Sequence, residues 1–356
     1  MKPGPILIVT ACWLLPPLVS GQETGRESPS AATADHALQQ TVRQFMDTTG
    51  ATAANVAVCR HGELVYSRSL GFADRRQTIP VRSTTTMRLA SCTKPVTRAA
   101  VEQLIAAGRL ERQTPVYEYL GIRPGPDGLA DPRIEQITID HLLQHEGGWD
   151  RDATFDPLYR TGEIQRELGL GRLQKHHVVR YMWSRPLQFD PGERECYSNF
   201  GYLLLGLVIE KTTGKSYIQS VRELVAAPLG IEDFAISSAV RSARSPHEVY
   251  YPDENGLNLK LRDSSSGLAA SAESMVRFMG GWWIDGQPRH DDRNVYLYQI
   301  GTHPLTTTTL MEQRLDGLDY VIMLNRRRED SYPEDNAEIR QQFNELLDEV
   351  GHLLGD

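Results

Sequence analysis

The sequence predicts an α+β fold, an α/β sandwich in which one antiparallel sheet built from both chain ends is flanked by helices and carries a helical lobe. Three observations predict it. Two strand-like runs near the N-terminal end, Asn55 to Cys59 and Leu64 to Leu70, meet at a His61-Gly62 turn. A second hairpin near the C-terminal end joins Thr306–Arg314 to Leu318–Leu324 around Asp316-Gly317. Between them the apolar residues recur at helical spacing. Strands at both termini with helices between them fit one sheet with a helical insertion.

The elements follow in order. Lys2 and the short apolar stretch Ile6 to Val19, followed by small residues at Val19-Ser20-Gly21, read as an export leader over residues 1–21. A membrane span would need about 20 apolar residues, so no span is expected here. Val9-Thr10-Ala11-Cys12 loosely matches a lipid-attachment box, but it leaves a very short apolar region before Cys12, and no lipid anchor is expected. Residues 22–34, rich in Ser, Thr, Ala, Gly and Glu, read as a flexible linker. Residues 35–356 then form a single two-lobed domain. Asp35 is expected to cap a helix that buries Leu38, Val42, Phe45 and Met46. Helices are expected over Ser91–Ala107, closed by Gly108, and over Gly201–Thr213, closed by Gly214. Another is capped by Ser216 and stopped by Pro228, and a last one buries Ile339, Phe343, Leu346, Leu347 and Val350.

Composition narrows the function. The 356 residues are 40% hydrophobic and 24% charged, with a net charge of −8, which argues against a nucleic-acid partner. Of the four cysteines, Cys12 falls in the leader, leaving an odd number, so no disulfide scaffold is expected. Cys92 and Cys196 each stand beside a candidate site residue; they read as buried small apolar side chains, their pairing left open.

Two motifs carry chemistry. Ser91-Cys92-Thr93-Lys94 opens a helix and is the single Ser-x-x-Lys in a chain with six lysines. A serine hydroxyl is a weak nucleophile until a neighbour takes its proton, and a lysine one turn on can reach it. The helix N-terminus favours negative charge developing at an attacked carbonyl. The second motif is Tyr197-Ser198-Asn199, where alternate residues of an extended segment face the same way. Tyr197 can then exchange protons if nearby positive charge favours its phenolate, and Asn199 can hold Lys94 or a substrate amide. Taken alone, these residues would read as a buried tyrosine and a helix-capping asparagine.

Together, Ser-x-x-Lys followed by Tyr-x-Asn resemble the serine β-lactamase and penicillin-binding protein superfamily, most closely its class C β-lactamase, D,D-peptidase and esterase branch. Ile139 to Gly148 is similar to that branch's LLxHxSG segment, and Ser266 to Ser271, continued by Ser274 and Arg277-Phe278, to its GGLxSxxxDxxRF segment. The similarity runs from about residue 37 to 353. It implies a β-lactamase/transpeptidase-like fold and acyl transfer through Ser91, with Lys94 and Tyr197 relaying the proton and no cofactor or metal. The implied substrate is a small molecule or a peptidoglycan-like compound: an ester, an amide, a β-lactam or a D-Ala-type group. A catalytically impaired scaffold that binds ligand without turnover is the alternative.

The chain departs from the pattern at the third motif, Lys-Thr-Gly or His-x-Gly in that family. Matching through Pro304 places Gln299-Ile300-Gly301 there, so Gln299 replaces the cation and carboxylate substrates lose a partner. In this register Gly301 lets substrate approach, and the backbone N–H of Thr302 joins that of Ser91 in an oxyanion hole. A small shift would put His303 in the cation's place instead. His141-x-x-x-His145, His176-His177, His290-Asp291-Asp292 and the carboxylates Asp150, Asp152 and Asp156 read as structural or solvated groups, not metal ligands.

Overall fold

The computed structural model describes residues 30–125, 128–252, 256–290, 293 and 295–355. The leader, residues 22–29 of the linker, and Asp291 and Asp292 therefore lie outside the described residues.

Both expected hairpins form. Strand β1 (Ala53–Arg60) pairs antiparallel with β2 (Glu63–Gly71), while β7 (Thr307–Gln313) pairs with β8 (Leu318–Leu324). The two hairpins join through β1 and β8, and β6 (Leu297–His303) adds an edge beyond β7, giving the order β2-β1-β8-β7-β6. A sheet made from the two chain ends results. A smaller sheet of β3 (Met87–Arg88), β5 (Leu268–Ala270) and β4 (Ala235–Ile236) lies beside it.

Side-chain alternation along the strands divides the core. Ala54, Val56 and Val58 of β1 and Tyr320, Ile322 and Leu324 of β8 face one way, against α1 (Ala31–Thr49) and the C-terminal α11 (Tyr332–Val350). Ala53, Ala57 and Cys59 with Val321 and Met323 face the other way, against α10 (Ala272–Gly281) and the helical lobe. That lobe contains α2 (Thr93–Ala106), α3 (Val116–Leu120), α4 (Ile139–Leu143), α5 (Thr161–Glu167), α6 (Lys175–Trp183), α7 (Asn199–Thr213) and α8 (Tyr217–Val221), with the short α9 (Asp263–Ser266) leading into β5.

Several boundaries differ from expectation. The first helix starts at Ala31, capped by Ser30, whose Oγ accepts from the Thr33 N–H at 3.3 Å. Its first turn therefore lies in the stretch read as linker, and Asp35 ion-pairs with Arg68 at 2.8 Å instead of capping. The helix after Ser216 passes into a π turn over Arg222–Ala226 before Pro228. His176 and His177 sit on α6, where the His177 ring closes a capping box with Gln174, so they are not a loop pair. Among the described residues no helix is long and apolar enough to cross a membrane.

Candidate active site

Ser91 lies at the seam between sheet and lobe, in a 3-10 turn, Ala90–Cys92, that runs directly into α2. Residues three apart share one face of such a continuous helical run, which brings Lys94, in the first turn of α2, to Ser91. Ala90, just before Ser91, has φ +46°, a conformation that costs a non-glycine residue energy and is kept only where surroundings enforce it. Here they do. The Leu89 N–H bonds to the Leu268 carbonyl at 2.8 Å, and Thr309 donates its hydroxyl to the Arg88 carbonyl at 2.8 Å. Gly301 explains the rest: a Cβ there would stand 2.0 Å from the Leu89 carbonyl oxygen and 3.0 Å from the Ser91 nitrogen. The glycine makes room for the turn that carries Ser91.

Lys94 is buried, 2% exposed, and all three of its donors are used. Nζ lies 2.7 Å from Asn199 Oδ1, 2.9 Å from the Ser265 carbonyl and 3.3 Å from Ser91 Oγ. Burial pulls its pKa down to about 7, Asp156 opposing and Arg151 adding to the fall. An amine near half deprotonation at neutral pH can serve as a base. The partners then decide where it acts. The Asn199 and Ser265 oxygens only accept, so a neutral Lys94 keeps its two N–H bonds on them and turns its lone pair to Ser91 Oγ.

Tyr197 donates its hydroxyl to Ser91 Oγ at 2.7 Å. Its ring lies 4.7 Å from the His145 ring, with Arg151 and Lys94 at 4.8 Å and 4.6 Å. Burial nevertheless pushes the phenol above its ordinary pKa, and the Ser91 hydrogen bond and Arg151 do not reverse it. The phenolate condition set by the sequence is therefore not met, and Tyr197 is a phenol that donates. Ser198, not Asn199, caps α7 through Oγ to the Gly201 N–H at 3.1 Å. That leaves the Asn199 amide free for Lys94.

His145, with φ +61°, accepts from the Ser198 N–H at 3.1 Å and offers its carbonyl to the Cys196 N–H at 2.8 Å. Burial, with Lys94, Arg98 and Arg151 adding, drives its pKa down to about 2, so the ring is a neutral clamp on the Tyr197 segment. His141 caps α4 with Thr138. Asp150 is tied to Arg194 at 2.7 Å. Cys92 points into the sheet, with Sγ 3.4 Å from the Gln299 and Thr309 carbonyls, and Cys59, Cys92 and Cys196 are all free thiols.

The opposite wall of this cleft, about 560 Å³ in volume, is β6 and the chain after β8. Gln299 and Thr302 line it, as expected in the first register. His303 does not: it is fully buried, with Nε2 2.9 Å from the Ser266 carbonyl and a pKa held far down by burial, so it cannot stand in for the cation. Asp156, behind Asn199, and the cleft-lining Arg327 and Arg151 were not legible as site residues. Asp156 accepts from Asn199 Nδ2 at 2.5 Å. Arg327 donates to Thr302 Oγ1 at 2.9 Å and lies 3.8 Å from the Tyr332 ring, and with Arg151 it lines the cleft. The cleft is thus not without cations, although Gln299 is neutral. A second polar cleft of about 520 Å³, with Asp233, Glu273, Arg222 and Arg277 in its lining, contains neither Ser91 nor Lys94.

A two-end antiparallel sheet, a helical lobe and a Ser–Lys–Tyr cluster at their seam define a protein of the serine β-lactamase and penicillin-binding superfamily. Residues 38–333 match the Beta-lactamase family, and the chain belongs to it. Esterase EstB of Burkholderia gladioli is 39% identical over 186 residues, 51% of this chain and 46% of that one. A probable fimbrial assembly protein FimD, serogroup H1, of Dichelobacter nodosus is 34% identical over 268 residues, 72% of this chain and 64% of that one. The matches thus span about half to two thirds of those relatives' length. The crystal structure of a class C β-lactamase superposes with a TM-score of 0.69 at 13% identity, covering 88% of this chain and 98% of that one, and shows the shared fold.

Proposed function

We propose that the chain is an exported serine hydrolase that works through an acyl-enzyme on Ser91. The convergence of Lys94 Nζ at 3.3 Å and the Tyr197 hydroxyl at 2.7 Å on Ser91 Oγ carries this reading. Neutral Lys94 takes the Ser91 proton as Oγ attacks the substrate carbonyl carbon. The oxyanion forms toward the backbone N–H groups of Ser91 and Thr302. As the tetrahedral intermediate collapses, the departing oxygen or nitrogen takes the Tyr197 proton, and Lys94 returns one to the phenolate. Water repeats the sequence on the ester and frees Ser91. The alternative of an inert scaffold is not favoured, because the side chains it would have lost are present and converge.

An ester is the substrate class favoured first. Gln299 offers no charge at the strand wall, and the EstB relative is by name an esterase. A second reading rests on Arg327: a guanidinium lining the cleft is a partner for a substrate carboxylate, as in β-lactam or D-Ala-type compounds. Export rests on the Lys2 and Ile6–Val19 leader and is checked by finding a cleaved N-terminus in protein recovered outside the cytoplasm. The test of function is Ser91→Ala in folded protein. Hydrolysis of p-nitrophenyl esters is expected to fall by about 10³-fold or more, and unchanged hydrolysis would contradict the proposal.

A further inference from the structure

The two acceptors that direct Lys94 are not equally secure. The Ser265 carbonyl is main chain and cannot turn round. The Asn199 side chain carries an oxygen and a nitrogen of nearly the same shape, and either could face the amine. Asp156, in the loop between α4 and α5, decides it. Its Oδ2 lies 2.5 Å from Asn199 Nδ2, and because a carboxylate only accepts, the NH2 faces Asp156 and Oδ1 faces Lys94. In the opposite orientation the amide would offer an N–H to the lone pair of neutral Lys94, in direct competition with Ser91.

We propose that Asp156 is a positioning residue of the Ser91 centre: its carboxylate fixes the Asn199 amide and balances the Lys94 ammonium, so that the lone pair released on deprotonation is kept for Ser91. The inference rests on the Ser91 reading above. The charged and titratable surroundings of Lys94 make the carboxylate matter. Arg151 comes from the same loop as Asp156, Arg262 from the turn ahead of α9, and Cys92 from the nucleophile's own turn. The Tyr197 and Tyr202 rings stand 4.6 and 5.4 Å from Nζ, and His145, beside both rings, is neutral. Burial and the two arginines all disfavour the ammonium, and Asp156 is the carboxylate that opposes them. Arg262 also holds the Leu158 carbonyl, tying this loop to α9, whose Ser265 supplies the other acceptor.

The test follows the pH dependence of fluorophosphonate labelling at Ser91, read by peptide mass spectrometry, in the wild-type protein, Asp156→Asn and Asp156→Glu. A chain with six lysines also allows Lys94 to be titrated directly by NMR of 13Cε-lysine-labelled protein. In the wild type the labelling rate is expected to rise through about pH 7. Loss of the negative charge disfavours the ammonium, so Asp156→Asn is expected to move this limb and the Lys94 titration to lower pH by about one unit. Its limiting rate is expected to fall about tenfold as the amide loses its fixed orientation. Asp156→Glu, which keeps the charge, is expected to restore the midpoint. Coincident midpoints for the wild type and Asp156→Asn would overturn the inference while leaving the Ser91 reading intact. Should Asp156→Asn fail to fold, a wild-type midpoint in Asp156→Glu supports the role of charge and a shifted one contradicts it. Absence of wild-type labelling at Ser91 would overturn both.

Discussion

The helical wall of the Ser91 cleft and its strand wall are built to different standards. On the helical wall the side chains around Ser91 hold one another: Lys94 reaches Asn199, Ser265 and Ser91, Asn199 reaches Asp156, and His145 grips the chain on either side of Tyr197. On the strand wall the Gln299 amide turns back on its neighbour's carbonyl, Ile300, at 3.1 Å, and Thr302 is held by Arg327 from beyond β8. In the proposed reaction, proton handling and substrate choice therefore rest on separate walls. Proton handling needs fixed distances and low polarity, which tight packing supplies. Substrate choice resides in side chains that can change without unfolding the centre.

Substitutions on the helical wall are therefore expected to do the deepest damage. Lys94→Ala removes the proposed base, and kcat on an activated ester is expected to fall by about 10³-fold. A fall under tenfold in steady-state assays would place proton transfer elsewhere. Gly301→Val tests a point where the strand wall supports the Ser91 turn. The new side chain meets the Leu89 carbonyl, so a destabilisation of about 2–3 kcal/mol in chemical denaturation is expected, together with loss of Ser91 labelling. Wild-type stability and labelling would show that the close approach is not needed.

Tyr197→Phe keeps the ring against His145 but loses the donor, and is expected to cost about 10²-fold in kcat with KM little changed. The pH profile sharpens the same comparison. Lys94 accepts a proton only when neutral, so kcat/KM is expected to rise with pH to a midpoint near the value of about 7 set by burial, and activity to be lost as pH falls below it. A flat profile between pH 5 and 8 would contradict Lys94 as the base. The smallest effect belongs to the strand wall. Arg327→Gln is expected to raise KM about tenfold for carboxylate-bearing substrates and to leave neutral esters unchanged. Equal losses on both would make Arg327 structural.

Much of the fold was legible because local chemistry and long-range pairing agreed. His61-Gly62 and Asp316-Gly317 mark the two hairpins, and the apolar stripe from Ile339 to Val350 marks the last helix. The first helix was misplaced because Ser30 and Asp35 are both acceptable caps and only tertiary contact, the Arg68 ion pair, separates them. Ser91, Lys94, Tyr197 and Asn199 were legible because each pair is close in sequence and on one face. Asp156 was not, since its loop has no periodicity and its partner is 43 residues away. Arg327 was missed for the same reason: it matters only because the chain beyond β8 reaches Thr302 on β6, two strands away in the sheet.

The central claim is that Ser91 is the nucleophile. Purified protein is treated with a fluorophosphonate and, separately, with a fluorescent penicillin, and any adduct is mapped by peptide mass spectrometry. A single adduct on Ser91 is expected, absent from Ser91→Ala, with the preferred probe showing whether the strand wall selects neutral esters or carboxylates. Folded protein that carries no adduct, or carries one on another residue, would contradict it.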